Sequence, residues 1–229
     1  MPVFQLTDQI AFPPPELAEP NGLLAVGGDL FPARLVEGYR QGIFPWYSEG
    51  NPILWWFTSP RLVLFLEEFK ISSRLRRYHR NSEMNCTINE AFEAVISACA
   101  ETRKEKGEDT WITDEMASAY IEMHRQGYAH SVECWNGTRL AGGLYGIALG
   151  KVFFGESMFS AMDNASKIAL ASLVMYLRSK GYRIIDCQMT TSHLLQFGAC
   201  EISGREFSQY LQQYIKDYKP DGTWKYEQN

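Results

Sequence analysis

Proline divides this chain more sharply than any other residue: nine of its ten prolines lie within residues 1–60, and only Pro220 lies beyond. Proline lacks the backbone N–H that helix interiors and central strands require. Long regular elements are therefore barred from the first 60 residues and open to the rest. The break predicts a small, turn-rich N-terminal domain over 1–60 and a larger domain over 61–229. Within the first domain, one short helix is expected near residues 32–40, where Pro32 suits the first turn. Other regular structure there should be sparse.

After Pro60, hydrophobic periodicity takes over. The run Arg61-Leu62-Val63-Leu64-Phe65-Leu66 predicts a strand. Thr87-x-x-Glu90 has the form of a capping box and predicts a helix carrying Phe92, Val95, Ile96 and Cys99 on one face. A second helix is expected from Thr113, with Asp114 and Glu115 in its first turn where the helix dipole favours anions, stopping before Gly127. Three strands should follow at about 128–135, 138–149 and 152–158, joined by an Asn136-Gly137 hairpin turn and a second turn at Gly150-Lys151. A helix from about Asn164 to Lys180, ended by Gly181, leads into a strand over 183–188, and a last helix carries Phe207, Tyr210, Leu211 and Tyr214. This is an α+β order. It resembles the acyl-CoA N-acyltransferase (GNAT-like) architecture, in which a helix packs on a mixed sheet and two central strands splay to make a substrate slot.

Composition narrows the chemistry. Hydrophobic residues make up 45% and charged residues 21%, ordinary values for a folded globular chain. No run of about 18 apolar residues or signal-peptide pattern is present, so a protein outside membranes is expected. Five cysteines, an odd number with no Cys-x-x-Cys pair, suit a reducing cytoplasm. The net charge of −5 argues against a wholly basic nucleic-acid-binding surface. Against that background, Arg74, Arg76, Arg77 and Arg80 form a local basic tract. Gly150-Lys151 is followed by Val152, so no P-loop occurs, and the four histidines and five cysteines match no zinc spacing. No metal is expected. The junction before the helix at Asn164 reads Phe159-Ser160-Ala161-Met162-Asp163, without the glycine that a pyrophosphate cradle needs. CoA should therefore not be the donor, and no cofactor is expected.

Three constellations remain. Asp186 and Gln188 end a strand, and period-two alternation predicts that they share a face. They are either a structural polar pair or the groups that orient an incoming amine and help deprotonate it. Glu156 stands among aromatic and apolar neighbours on the preceding strand and needs a cation, either an internal Arg or Lys or a cationic substrate group. Tryptophans cluster in turns. Trp55 and Trp56 read as interface core, whereas Trp46 and Trp111 read as candidates for stacking on nucleic-acid bases.

The segments Glu19-Pro20-Asn21-Gly22-Leu23-Leu24-Ala25-Val26-Gly27-Gly28-Asp29-Leu30, Gly42-Ile43-Phe44-Pro45-Trp46, Trp111-Ile112-Thr113, Gly142-Gly143-Leu144-Tyr145-Gly146, Phe154-Gly155-Glu156-Ser157-Met158-Phe159-Ser160 and Ile185-Asp186-Cys187-Gln188 together resemble the bacterial leucyl/phenylalanyl-tRNA-protein transferases. The resemblance runs from about residue 10 to about 210. It departs at Ser203-Gly204, where a proline and an arginine are expected. It implies an aminoacyltransferase that moves Leu, Phe or, less well, Met from tRNA to proteins with N-terminal Arg or Lys, for N-end rule degradation; separately, a monomer is expected. It also implies that Trp46 and Trp111 hold the terminal adenosine and that Leu144, Phe153 and Leu173 line the donor pocket, with Leu170 and Leu177 read rather as core. Asp186 and Gln188 would be catalytic, Glu156 would bind the acceptor's cation, and the four arginines would meet tRNA phosphates. The rival readings are a cell-wall-precursor type of tRNA-dependent aminoacyltransferase and a non-catalytic RNA-binding module.

Overall fold

The computed structural model describes residues 3–105, 111–216, 219, 220, 222, 224 and 225. In the first 60 residues, β1 (Phe4–Leu6), β2 (Leu23–Gly27), β3 (Phe44–Pro45) and β4 (Leu54–Trp56) form a sheet in the order β1-β2-β4-β3. Helix α1 (Pro32–Arg40) opens on Pro32, as the sequence predicts. Regular structure here is fuller than the proline content suggests. Pro45, the proline that enters a strand, lies on the edge strand β3, where a missing N–H costs the ladder least.

The larger part begins with β5 (Arg61–Phe65), α2 (Ser73–Asn81), β6 (Met84–Ile88), α3 (Phe92–Glu105) and α4 (Asp114–Arg125). It continues with β7 (Ala129–Asn136), β8 (Arg139–Leu149), β9 (Val152–Ser160), α5 (Ala165–Ser179) and β10 (Ile184–Gln188). It closes with α6 (Ser192–Leu195), β11 (Cys200–Ile202) and α7 (Gly204–Tyr214). Seven strands make one mixed sheet in the order β11-β5-β10-β9-β8-β7-β6. Only β9 and β10 run parallel, joined by the α5 crossover. The fold is α+β, with a helix laid on a mixed sheet as expected.

Alternation sorts the strand residues onto two covered faces. Leu62, Leu64, Leu144, Phe153 and Ile185 pack with Leu170, Leu173 and Leu177 of α5. Their neighbours Val63, Tyr145, Phe154 and Ile184 pack with Val95 of α3 and Met116 and Tyr120 of α4. Each such side chain contributes about 1.5–3 kcal/mol when fully buried. The second cluster also takes in Leu24, Leu35, Tyr39 and Trp55, so the small sheet and α1 share a core with α3 and α4.

Local readings diverge in three places. Thr87 caps no helix. It lies in β6, where its hydroxyl donates to Glu133 of β7 at 2.6 Å, and α3 starts only at Phe92. A Thr-x-x-Glu spacing carries no helix signal once a cross-strand acceptor claims the hydroxyl. The arginine tract forms α2, capped by Ser72 Oγ accepting from Leu75 N at 3.1 Å. Strands β6 and β11 and helix α6 complete the sheet and its edge without having been foreseen.

Candidate active site

The site lies where β9 and β10 part. Their pairing ends at Phe154 opposite Asp186, although β9 continues to Ser160 and β10 to Gln188. Two irregularities aim side chains into the gap. On β9 the register with β8 shifts, so that Tyr145 faces Ser157 and Gly146 faces Gly155, leaving Glu156 as the extra residue of a bulge. On β10 the register with β5 shifts between Asp186 and Gln188, and Gln188 adopts a left-handed φ of 59°. A left-handed non-glycine residue costs about 1–3 kcal/mol and persists only where its surroundings hold it. Here Asp186 Oδ1 accepts the Gln188 backbone N–H at 2.9 Å.

This break corrects the expected alternation. Gln188 and Cys187 both border a cavity of about 530 Å³, whereas Asp186 does not. Asp186 is fully buried behind the wall, where Arg61 Nε donates to Oδ1 at 2.8 Å and Arg61 Nη2 to Oδ2 at 2.7 Å. Arg61 also donates to Gly42 O and Thr58 Oγ1, and its guanidinium lies over the rings of Phe44 and Phe207. The sequence reading missed Arg61. Its signal was a charge heading an otherwise apolar strand.

The same cavity gathers Trp46, Trp111, Leu144, Phe153, Glu156, Leu173 and Gln188 on its walls. Leu170, assigned to the core from sequence, also borders it, and Leu177 does not. Met158, Ile185 and Leu194 extend the apolar lining beyond the residues that sequence picked out. Trp46 is 37% exposed and packs edge-on against Trp56, while Trp111 is buried.

Glu156 meets no arginine or lysine within hydrogen-bond reach among the described residues. Gln188 Nε2 donates to its Oε1 at 3.0 Å and Tyr120 Oη to its Oε2 at 2.8 Å. The Tyr39 hydroxyl of α1 and the Tyr120 hydroxyl are joined in turn by a short hydrogen bond. Burial pushes the Glu156 carboxyl up to about 7, against the lowering influence of the Tyr39 and Tyr120 hydroxyls. Burial, reinforced by the Glu156 charge, holds both phenols well above their ordinary range. Neither tyrosine was picked out from sequence, since each occupies a helix position typical of core.

Arg74, Arg76, Arg77 and Arg80 are all exposed on α2, apart from the cavity lining. Arg74 and Arg77 share a shallow cleft with Tyr78 and Asn81. At the start of α5, the Ala165 and Ser166 N–H groups are taken by Met162 O and Ser160 Oγ, both at 3.2 Å, so they do not form an open phosphate cradle. Among the described residues, no group of His, Cys, Asp and Glu is arranged to hold a metal ion, and no helix is long and apolar enough to cross a membrane.

The family model for leucyl/phenylalanyl-tRNA protein transferase matches residues 63–212, and that for its N-terminal domain matches residues 28–59. Leucyl/phenylalanyl-tRNA–protein transferase of Desulfotalea psychrophila is 56% identical over 98% of this chain and 99% of its own length. The enzyme of the same name from Syntrophobacter fumaroxidans is 53% identical over 99% and 97%, respectively. Among solved structures, an aminoglycoside acetyltransferase from an uncultured soil sample, in complex with sisomicin, aligns with a TM-score of 0.40 at 12% identity, covering 51% of this chain and 85% of its own. The structure of L-PGS from Bacillus licheniformis aligns with a TM-score of 0.42 at 11% identity, covering 89% and 64%.

Proposed function

This chain belongs to the leucyl/phenylalanyl-tRNA–protein transferase family, and on that premise we propose that it transfers Leu, Phe and, less readily, Met from tRNA to proteins with N-terminal Arg or Lys. The products enter N-end rule degradation, and the enzyme works as a cytoplasmic monomer. One observation carries the reading: a single cavity joins an apolar floor to a carboxylate and an amide, with two tryptophans on its walls.

The donor side chain occupies the floor made by Leu144, Phe153, Leu170 and Leu173. An apolar pocket separates substrates by only about 1–3 kcal/mol per methylene, which suits acceptance of several large apolar residues. Trp46 and Trp111 hold the terminal adenosine by stacking. Arg74, Arg76, Arg77 and Arg80 hold the tRNA phosphates without reading sequence.

Glu156 is the only carboxylate on the cavity wall among the described residues, and it supplies the counter-charge for the acceptor's basic side chain. Because Gln188 gives its amide N–H to Glu156, its carbonyl Oε1 is the end left to accept an N–H of the attacking amine. That amine, with an ordinary pKa of about 7.7–8.0, is partly neutral near pH 7. Its nitrogen attacks the ester carbonyl, the C–N bond forms and the bond to the ribose oxygen breaks. The amine proton ends on that oxygen as the tRNA leaves. The ester already holds the required energy, so positioning supplies the rate. Asp186 acts as a positioning residue, holding the Gln188 backbone from behind the wall.

The test incubates the protein with radiolabelled Leu-tRNA and an Arg-initiated peptide, without ATP or CoA. Label should appear on the peptide and be lost when its first residue is changed to Glu. No label on either peptide would sink the proposal.

A further inference from the structure

Trp224, which follows α7, is buried behind Phe153, outside the lining of the cavity. Its ring stacks flat on His130 of β7, with centroids 3.9 Å apart and planes 3° apart. Tyr176 of α5 and Tyr182 close around it at 4.9 and 5.6 Å, and Asn89 Nδ2 donates to its carbonyl at 3.4 Å. Among the described residues neither Trp224 Nε1 nor His130 Nε2 has a hydrogen-bond partner, and Asn89 Nδ2 also meets His130 Nδ1 at 3.0 Å, so stacking and the shared Asn89 amide hold the two residues together.

The ring also meets Phe153, with centroids 5.9 Å apart. Phe153 borders the cavity and is itself fully buried. Gly146 permits this placement, since a Cβ there would come within 2.7 Å of the Phe153 ring. The floor ring thus lies between Gly146 on β8, whose missing Cβ also clears Phe154 O, and an aromatic residue from far along the chain. Protein interiors are packed to near-crystal density, so a ring that loses a neighbour moves toward the space left.

We propose that Trp224 is a positioning residue for donor choice: it braces Phe153 from outside the cavity and so sets how deep a donor side chain can reach. This rests on the reading of the cavity as the donor pocket. Removing the brace lets Phe153 withdraw, which deepens the floor and favours Phe over the shorter Leu.

The experiment measures kcat/KM for Phe-tRNA and Leu-tRNA on one preparation each of wild type, Trp224→Ala and Trp224→Phe. The ratio of the two donors is independent of the active fraction, so partial misfolding does not move it. Trp224→Ala should raise the Phe-to-Leu ratio about fivefold or more, with Trp224→Phe between it and wild type. Should Trp224→Ala not fold, a cycle of Trp224→Phe with Phe153→Leu replaces it, and the two changes should be non-additive in that ratio. An unchanged ratio, or additivity in the cycle, overturns the proposal. A wild-type protein that transfers neither donor overturns instead the reading of the cavity on which it rests.

Discussion

Arg61 and Asp186 meet end to end inside the sheet, two hydrogen bonds of 2.8 and 2.7 Å joining side chains that are both fully buried. Asp186 also holds the Gln188 N–H, so the ion pair on β5 and β10 underlies the left-handed turn that points Gln188 at the cavity. Removing one partner of a buried pair leaves an uncompensated charge and costs about 3–5 kcal/mol. Asp186→Asn should therefore lower the melting temperature by on the order of 10 °C. Turnover should fall about 10²-fold, as for misplaced reacting groups, while binding of an aminoacyl-adenosine is retained. Replacing the pair together, Arg61→Met with Asp186→Leu, should recover much of the stability and none of the turnover. Thermal unfolding beside single-turnover kinetics separates the two effects, and full turnover in the double variant would remove the pair from the mechanism.

Glu156 should give opposite pH dependences for stability and activity. Its carboxyl titrates at about 7 in the folded protein, above the ordinary value of 4.5. Between those values the folded state keeps a proton that the unfolded state has released, so stability falls as pH rises from about 4.5 to about 7. Glu156→Gln should abolish that slope in melts recorded from pH 5 to 8. On the proposed role of Glu156 as counter-charge for the acceptor, activity needs the carboxylate, so kcat/KM for an Arg-initiated peptide should rise through about pH 7. Tyr39, Tyr120, Gln188, Asp186 and Arg61 are the groups whose bonds or charges act on this carboxyl. Tyr120→Phe removes a donor to the carboxylate and should move the rising limb to higher pH. A limb unmoved by both Glu156→Gln and Tyr120→Phe belongs to the substrate amine alone.

The exposed arginines of α2 are expected to act on affinity rather than chemistry. Each phosphate contact contributes about 0.7–0.9 to the slope of log K against log salt. Changing Arg74, Arg76, Arg77 and Arg80 to Ala one at a time should flatten the slope for charged tRNA in about such steps. Transfer from a minimal aminoacyl-adenosine donor, which has no tRNA body, should stay at the wild-type rate. A wild-type slope in the variant lacking all four would place the tRNA elsewhere.

Legibility in the sequence followed the range of the interactions. The Asn136-Gly137 and Gly150-Lys151 turns and the Gly181 stop depend on neighbouring residues, and β7, β8, β9 and α5 lie where those signals put them. Thr87 read as a helix cap because its partner Glu133 is 46 residues away, beyond any local pattern. The same reason hid Arg61 from Asp186, 125 residues apart, and Tyr39 from Tyr120, 81 apart. Motif residues such as Glu156 and Gln188 were visible as chemistry out of place on apolar strands. That they bond to each other was not, because two strand irregularities, at Glu156 and before Gln188, bring them together and period-two reasoning assumes none.

The two tryptophans at the cavity differ in what their loss should do. Trp46 is 37% exposed, and its carbonyl, not its ring, accepts the Trp56 Nε1 hydrogen bond at 2.7 Å. Its ring can therefore be removed with little damage to the small sheet. Trp111 is 8% exposed and belongs to the buried cluster that joins the small sheet to α4. A base stacked on an aromatic ring contributes about 1–3 kcal/mol, so Trp46→Ala should weaken aminoacyl-adenosine binding about 5- to 150-fold with the melting temperature nearly unchanged. Trp111→Ala should weaken binding and also lower the melting temperature, since truncating a buried tryptophan costs about 3–5 kcal/mol. Trp46→Phe keeps a ring face and should restore most of the affinity. Calorimetric titration with a non-hydrolysable aminoacyl-adenosine decides the matter: wild-type affinity in Trp46→Ala would show that the adenosine stacks on another surface.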